Sequence, residues 1–449
     1  MGSQAWLKFD RRVPRYTSYP TAPHFHAGVG EGLYRRWLGE LPADRPLSLY
    51  LHVPFCPSLC WFCGCHTKVV RRYEPVARYL ELVRRELDLV AEALGRRARV
   101  VHLHWGGGSP SMLEPGDVVA LSRELRARFE IGRDSEFAVE IDPRGLRRES
   151  VAALADAGVT RASLGVQDLD PGVQAAVNRV QPFAATAQAV EWLRAAGIRG
   201  VNLDLMYGLP RQTPKGLVAT VDAVTTLAPD RLALFGYAHV PWMKPHQRLI
   251  DDRELPGPPE RLAQFEAAAA RLEKKGYLAI GLDHFARAHD GLAAAQREGR
   301  LRRNFQGYTT DETPALLGVG ASAISALPLG YAQSAAPLRA YAEAIGAGRL
   351  PTVRGIATDA DDRLRWAVIE RLMCDLEVEL QSLCRLFGPP PRQFAPELEA
   401  LGELERAGML EIEGARIRVR ASARPFLRII CAVFDHYLSP GPVLHARAL

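Results

Sequence analysis

No stretch of the 449-residue chain approaches the ~18 consecutive apolar residues that a membrane-spanning helix needs. The opening, MGSQAWLKFDRR, has none of the apolar core of a secretory signal, and Trp6 stands where an N-myristoylation pattern calls for Ser or Thr. Also missing are an internal repeat, a low-complexity tract and a lysine-rich tail. These absences predict a globular protein of the cytoplasm with no membrane partner. Cysteine is scarce, at seven residues, and in a reducing compartment clustered cysteines bind metals or do chemistry instead of pairing as disulfides. Charge excludes little. The net +6 comes from arginines dispersed along the chain, a balance that suits an acidic small molecule at least as well as nucleic acid.

What is present is 47% hydrophobic content, enough for one large domain or two ordinary ones, and a repeating theme. From about residue 47 to 241, short apolar segments alternate with longer helical patterns. The patterns predict strands at 47–53, 100–105, 137–142, 161–167, 201–207 and 232–238, and helices near 75–95, 115–129, 148–157, 172–196 and 215–227. Strands joined by helical crossovers require a parallel sheet, because parallel neighbours need a long connection. LAIGLDHFA (278–286) and LLGVGASAIS (316–325) are further apolar segments at the end of this unit. The predicted class is α/β: a partial parallel (β/α)6 barrel over 46–350, preceded by an arm and first helix (1–45). A smaller, mostly helical C-terminal domain (351–449) follows, with a short hairpin at 409–419.

Residues two apart in a strand share a face. Leu47, Leu49, Leu51 and Val53 therefore oppose Ser48, Tyr50 and His52. The split recurs: His102 and His104 oppose Val101 and Leu103, Glu140 and Asp142 oppose Val139 and Ile141, Ser163 shares a face with Gln167, and Asn202 and Asp204 oppose Leu203 and Leu205. Parallel strands covered by helices normally read as apolar on both faces. A polar face repeated in strand after strand predicts a curved sheet whose lumen is a binding site.

Four of the seven cysteines, Cys56, Cys60, Cys63 and Cys65, fall just after the first strand, on the C-terminal rim where α/β barrels carry their chemistry. A structural zinc site usually takes two ligand pairs a dozen or more residues apart. This compact run lacks that separation and suits three corners of a cubane [4Fe–4S] cluster. Cys374, Cys384 and Cys431 are scattered and read as ordinary packing residues.

CPSLCWFC, with an aromatic before its third cysteine, resembles the signature loop of the radical S-adenosylmethionine (SAM) superfamily. PRYTSYPTAP, YLHVPFC, CGC, HWGGGSPS, VEIDPR, SLGVQD, VNRVQ, NLDLMYGLP, YAHVP, LDHFA, NFQGYTT, GVGASAIS and FDHYL together resemble the oxygen-independent coproporphyrinogen III oxidase family over nearly the whole length. The resemblance implies that Cys56, Cys60 and Cys63 hold a [4Fe–4S] cluster, with Cys65 the spare thiol at the mouth of the lumen. It implies SAM on the open iron and a second SAM beside it. A 5′-deoxyadenosyl radical would then take hydrogen from propionates of coproporphyrinogen III, leaving vinyl groups and protoporphyrinogen IX.

The same resemblance assigns SAM contacts to Phe62, Gly107, Gly108, Ser109, Glu140, Gln167, Arg179, Asp204, Ala238 and Ile324, and leaves Cys65 as a catalytic thiol. Tyr50 and His52, inward on the first strand and within a few residues of the cluster loop, are expected beside the open iron or SAM, Tyr50 as a SAM contact and both as catalytic residues. Gly106, Gly107 and Gly108 would let backbone approach a ligand; GGGSP lacks the spacing and lysine of a P-loop. Ser109 replaces the family's usual Thr and keeps the hydroxyl. Implied partners are an electron donor protein such as a flavodoxin or ferredoxin, with the chain a monomer and no nucleic acid. Arg11, Arg12 and Arg15 lie on an arm expected to be free to fold over the rim. Competing readings are a haem-binding chaperone of the same superfamily, which would carry CxxxCxxCxF and lack the arm, a haem-opening radical SAM enzyme, and a zinc-dependent nucleic-acid binder.

Overall fold

A computed structural model of the chain describes residues 3–388, 394–438 and 445–449; Met1 and Gly2, on which the myristoylation pattern turns, lie outside the described residues. The strands of the lumen are β1 (Leu47–Val53), β2 (Arg99–Gly107), β3 (Glu130–Ile141), β4 (Arg161–Gln167), β5 (Gly200–Tyr207) and β6 (Arg231–Gly236). They continue into β7 (Leu278–Ile280), β8 (His284–Ala286), β9 (Leu316–Val319), β10 (Ile324–Leu327), β11 (Gly330–Ser334) and β12 (Thr352–Ala357). The order across this sheet is β12-β11-β10-β9-β1-β2-β3-β4-β5-β6-β8-β7. Neighbours from β9 to β6 are parallel, and the edges beyond them are antiparallel. The six-stranded parallel unit read from the pattern is therefore present, extended by a seventh parallel strand, β9.

Register brings the polar face into layers. Tyr50 lies opposite His104 and His52 opposite Gly106, Glu140 opposite Ser163, and Ser163 opposite Asn202. Helix α1 (Glu31–Gly39) precedes β1, and the opposite face packs on helices α2 (Glu74–Leu94), α3 (Pro115–Arg128), α4 (Arg148–Ala157), α6 (Phe183–Ala195) and α7 (Pro214–Thr225), in one apolar core. In α2, Val76, Leu80, Val83, Leu87, Val90 and Leu94 recur at helical spacing and are all buried. The helix stops at Gly95, whose φ of 64° only glycine adopts without cost.

Two predicted elements differ. The single helix at 172–196 is two, α5 (Pro171–Ala176) and α6, because Asn178 turns at φ 54° and Pro182, which supplies no N–H, caps α6. Strand β3 begins at Glu130 instead of 137, because Ile131 already pairs with Val100 ahead of an irregularity. The hairpin at 409–419 forms as read, from Leu410–Glu413 and Arg416–Val419, with Glu377–Glu379 as third strand.

The arm is not free, as the sequence suggested. Trp6, Val13, Tyr16 and Tyr19 are buried in a second core with Leu364, Val368, Leu372 and Phe426 of the C-terminal segment. Trp6 Nε1 donates to the Ala407 carbonyl (2.9 Å), and Tyr16 Oη donates to Asp435 (3.0 Å). Among the described residues, no helix is long and apolar enough to cross a membrane.

Candidate active site

The polar face of the sheet encloses a cavity of about 390 Å³, a size within the ordinary range for a small-molecule site. The cysteine loop stands over it. Past β1, Phe55–Cys56 forms a short parallel ladder with Lys68–Val69, fixing both ends of the loop. The middle is held from two sides. Asn178 Nδ2 donates to the Leu59 carbonyl (2.8 Å) and the Trp61 N–H to Val177 (3.0 Å). Across the loop, Gln247 Nε2 donates to the Phe62 carbonyl (3.1 Å), His246 Nε2 to that of Cys63 (2.8 Å), and Lys244 Nζ to that of Cys65 (3.0 Å).

Two guanidiniums face the loop sulfurs. Arg144 and Arg179 each place an Nη 3.4 Å from Cys60 Sγ, and both are braced on Asp142, at 2.7 and 3.3 Å. A hydrogen bond from Cys65 brings the Cys63 thiol down to about 7, helped by the charges of Lys244 and Arg179. Burial pushes Cys56 up to about 11, and the exposed Cys65 thiol is raised chiefly by its hydrogen bond to Cys63. Among the described residues no three His, Cys, Asp or Glu side chains converge on a single ion. A cubane asks for no such convergence, since each thiolate binds its own iron, and soft sulfur donors on one short loop fit it.

Of the residues given a cluster, SAM or catalytic role in the sequence, twelve line the cavity: Cys56, Cys60, Phe62, Cys63, Cys65, Gly107, Gly108, Ser109, Glu140, Gln167, Arg179 and Asp204. Glu140 accepts from His104 Nε2 (3.1 Å) and the Gly107 N–H (2.9 Å); burial opposes its ionisation, yet these donors hold its pKa below the usual range. Asp204 accepts from Ser163 Oγ (2.9 Å) and Asn202 Nδ2 (2.8 Å), while burial raises its pKa. Gln167 sits at φ 71° with a buried, unpartnered Oε1, and Arg179 Nε and Asn202 Oδ1 are likewise without partners. A lumen that leaves such polar atoms unsatisfied fits a ligand rich in hydrogen-bonding groups, as SAM is. Ser109 Oγ lies 2.9 Å from Ser111 Oγ.

Four others do not line it. Tyr50 and His52 point to the expected side of β1, but the loop's return caps His52, to which Tyr50 is bonded. His52 Nε2 donates to the His66 carbonyl (3.0 Å), so its Nδ1 accepts from Tyr50 Oη (2.9 Å). Burial lowers the pKa of His52 and raises that of Tyr50, so both are neutral. Ala238 offers its carbonyl to Gln247, and Ile324, in β10, packs beside Phe25 and Tyr331. The glycines have a second reason to be small: a Cβ on Gly106, Gly107 or Gly108 would lie 2.6 Å from the Glu140 carboxylate, 2.4 Å from the His52 ring, or 2.4 Å from the Phe55 carbonyl oxygen.

At the N-terminal end of the lumen the sequence placed Ser48 and His102 on the polar face but gave neither a specific role. There Ser48 Oγ donates to Asp311 (2.5 Å), and Arg231 Nε donates to Asp290 (2.7 Å), which also lies 3.5 Å from Arg161. Strand alternation reaches Ser48 and Glu136; Asp311 and Asp290 lie on loops with no period to betray them.

A thiol loop on the C-terminal rim of a parallel half-barrel with a polar lumen defines a radical SAM fold, and residues 50–224 match the Radical SAM superfamily. Residues 358–426 match the HemN C-terminal domain. The chain is 49% identical over 440 residues to the oxygen-independent coproporphyrinogen III oxidase of Bradyrhizobium diazoefficiens, covering 98% of each chain. It is 44% identical over 429 residues to the Paracoccus denitrificans protein of that name, covering 96% and 95%. The solved coproporphyrinogen III oxidase (HemN) from Escherichia coli, described as a radical SAM enzyme, superposes with a TM-score of 0.92 at 38% identity, covering 98% of this chain and 99% of that one. The chain belongs to the oxygen-independent coproporphyrinogen III oxidase family. It is an oxidoreductase whose cofactors are a [4Fe–4S] cluster and SAM.

Proposed function

We propose that the chain converts two propionate side chains of coproporphyrinogen III to vinyl groups without oxygen, giving protoporphyrinogen IX in haem biosynthesis. The carrying observation is the cysteine loop over a polar lumen within a chain similar end to end to named oxidases. Those names favour the enzymatic reading over the chaperone one. When bound, cluster and SAM supply hydrogen-atom abstraction from a substrate C–H bond. Cys56, Cys60 and Cys63 would hold the irons, and Cys65 remains at the mouth. Arg144 and Arg179, fixed on Asp142, place positive charge beside the loop sulfurs. Glu140 and Asp204, each held by two donors, keep lone pairs for ribose and amino groups, and Gln167 offers its free Oε1. Phe62, Gly107, Gly108 and Ser109 complete the wall toward SAM, with Ala238 and Ile324 contributing from just outside it. Neutral His52 and Tyr50 set the roof under His66, and a second SAM shares the lumen.

The reading also takes an electron donor protein, a single chain as working unit, and the cytoplasm, where free thiols stay reduced. Its division into an arm (1–45), a barrel (46–350) and a C-terminal domain (351–449) assigns chemistry to the middle part. Anaerobic reconstitution with iron and sulfide, then reduction with SAM and coproporphyrinogen III, tests it. Methionine, 5′-deoxyadenosine and the divinyl product are expected, and their absence from cluster-loaded protein discards the reading.

A further inference from the structure

Three segments build the surface around the cysteine loop: the loop with its return (54–73), α5 with the turn after it (171–183), and 238–250. None contains an aspartate or glutamate. They carry Lys68, Arg71, Arg72, Arg179, Lys244 and Arg248. Arg179 is buried and Lys244 is tied to Cys65, but Lys68, Arg71, Arg72 and Arg248 are exposed, with no ion-pair partner among the described residues. Acids bordering the segments are already engaged. Asp251 pairs with Arg253, Asp252 with His239, Glu254 with Arg211 and Glu74 with Arg78, while Asp170 caps α5.

Apolar side chains stand among these cations. Val180 is 67% exposed, Leu249 58%, Met243 51% and Val69 40%, all on the segments that hold the loop. Exposed apolar groups rimmed by charge of one sign mark a protein-binding surface, and unpaired charge of one sign steers a partner of the other.

We infer that this surface docks an acidic one-electron carrier protein. The inference rests on the proposed function, because it takes the loop to hold a cluster that must be reduced from outside the chain. In that step the carrier loses one electron and the cluster gains one; no bond forms or breaks and no proton moves. The basic, acid-free rim matches an acidic carrier, and the apolar side chains give the short-range contact that ends a steered encounter.

The test uses a flavodoxin as probe. Lys68→Glu/Arg71→Glu/Arg72→Glu and Arg248→Glu are compared with the parent in two assays. In the first, labelled oxidised flavodoxin is titrated with cluster-loaded protein and followed by NMR, a readout independent of turnover. The parent's affinity is expected to weaken as salt rises, and the triple variant's Kd to be raised at least about tenfold, with a flatter salt dependence. In the second, turnover driven by flavodoxin hydroquinone falls in both variants, while turnover driven by dithionite stays within about twofold of the parent. The Gln versions of the same substitutions, with parental melting temperatures, guard against a folding defect and should give intermediate losses. An unchanged Kd overturns the inference. So does an equal loss of dithionite-driven turnover with a raised KM for coproporphyrinogen III, which would assign the cations to the substrate's carboxylates. Flavodoxin binding without product from either reductant leaves the docking surface standing and refutes the proposed function instead.

Discussion

Glu86, on α2, is buried behind the strand that carries Tyr50 and His52, and accepts from the Gly320 N–H at 2.7 Å and from Tyr341 Oη at 2.5 Å. Next to it, Tyr79 Oη donates to the His52 carbonyl (2.7 Å), so this group sits one side chain from the roof of the site. Burial raises the Glu86 carboxyl from 4.5 to about 7 against these donors. The folded chain therefore holds this proton more tightly than the unfolded chain does. Its contribution to stability is full below about 4.5 and is lost as pH rises through about 7. Glu86→Gln keeps an acceptor and removes the titration, so the variant should gain on the parent between pH 5 and pH 8 by up to about 3 kcal/mol in chemical denaturation. Parallel pH profiles for the two proteins would refute this account. The cysteines allow a second test of single side chains. Ala at position 56, 60 or 63 should abolish the brown colour and bound iron, whereas Cys65→Ala should retain both, and iron loss in the Cys65 variant would overturn its assignment as the spare thiol.

At the level of elements, the turn that ends β2 meets the loop after β1 with no room between them. Gly108 donates to the Val53 carbonyl (2.8 Å) and Ser109 to that of Phe55 (2.7 Å), so a Cβ at Gly108 collides with backbone that cannot move without breaking this junction. Gly107 has a φ of 107°, and its Cβ would meet the His52 ring. At Gly106 the obstacle is the end of the Glu140 side chain, which can swing aside. Gly108→Ala and Gly107→Ala should each cost more than about 2 kcal/mol in denaturation. Gly106→Ala should cost less stability but weaken SAM binding at least about tenfold, by displacing Glu140. Equal stability losses at all three positions would contradict this ranking. The same junction shows what the sequence could convey. Alternation in β1 to β5 located the lumen face, because a period of two survives whatever packs above it. It could not reveal that the His66 carbonyl caps His52, since the return of a loop has no period. Nor did helical spacing expose the break at Asn178, where one residue in a left-handed conformation and a proline outweigh an otherwise continuous pattern.

Across the whole molecule, the two chain ends meet. Arg12 and Arg447 form an isolated bridge, and the buried Arg428 reaches the carbonyls of Val13, Arg447 and Ala448, at 3.3, 2.6 and 2.6 Å. On its way to that core the arm also passes the barrel rim. There Arg15 donates to the Gly236 carbonyl at the end of β6 (2.9 Å), and Arg12 lies 4.7 Å from the Trp242 ring. The arm therefore joins the C-terminal segment to the mouth of the lumen, and its two attachments can be tested apart. Deleting residues 1–22 removes Trp6, Val13, Tyr16 and Tyr19 from the second core, each contributing roughly 1.5–3 kcal/mol of burial. That sum rivals the whole stability of a typical domain. The truncated chain should melt in two steps by calorimetry, the C-terminal segment first, with proteolysis concentrated between 360 and 438. Arg12→Ala/Arg15→Ala leaves the core intact and should keep the parental melting profile, while lowering decarboxylation and leaving SAM cleavage uncoupled from product. A truncated chain that melts once, at the parental temperature, would show that the arm is dispensable to the second core. Full coupling in the arginine variant would confine the arm to a structural role.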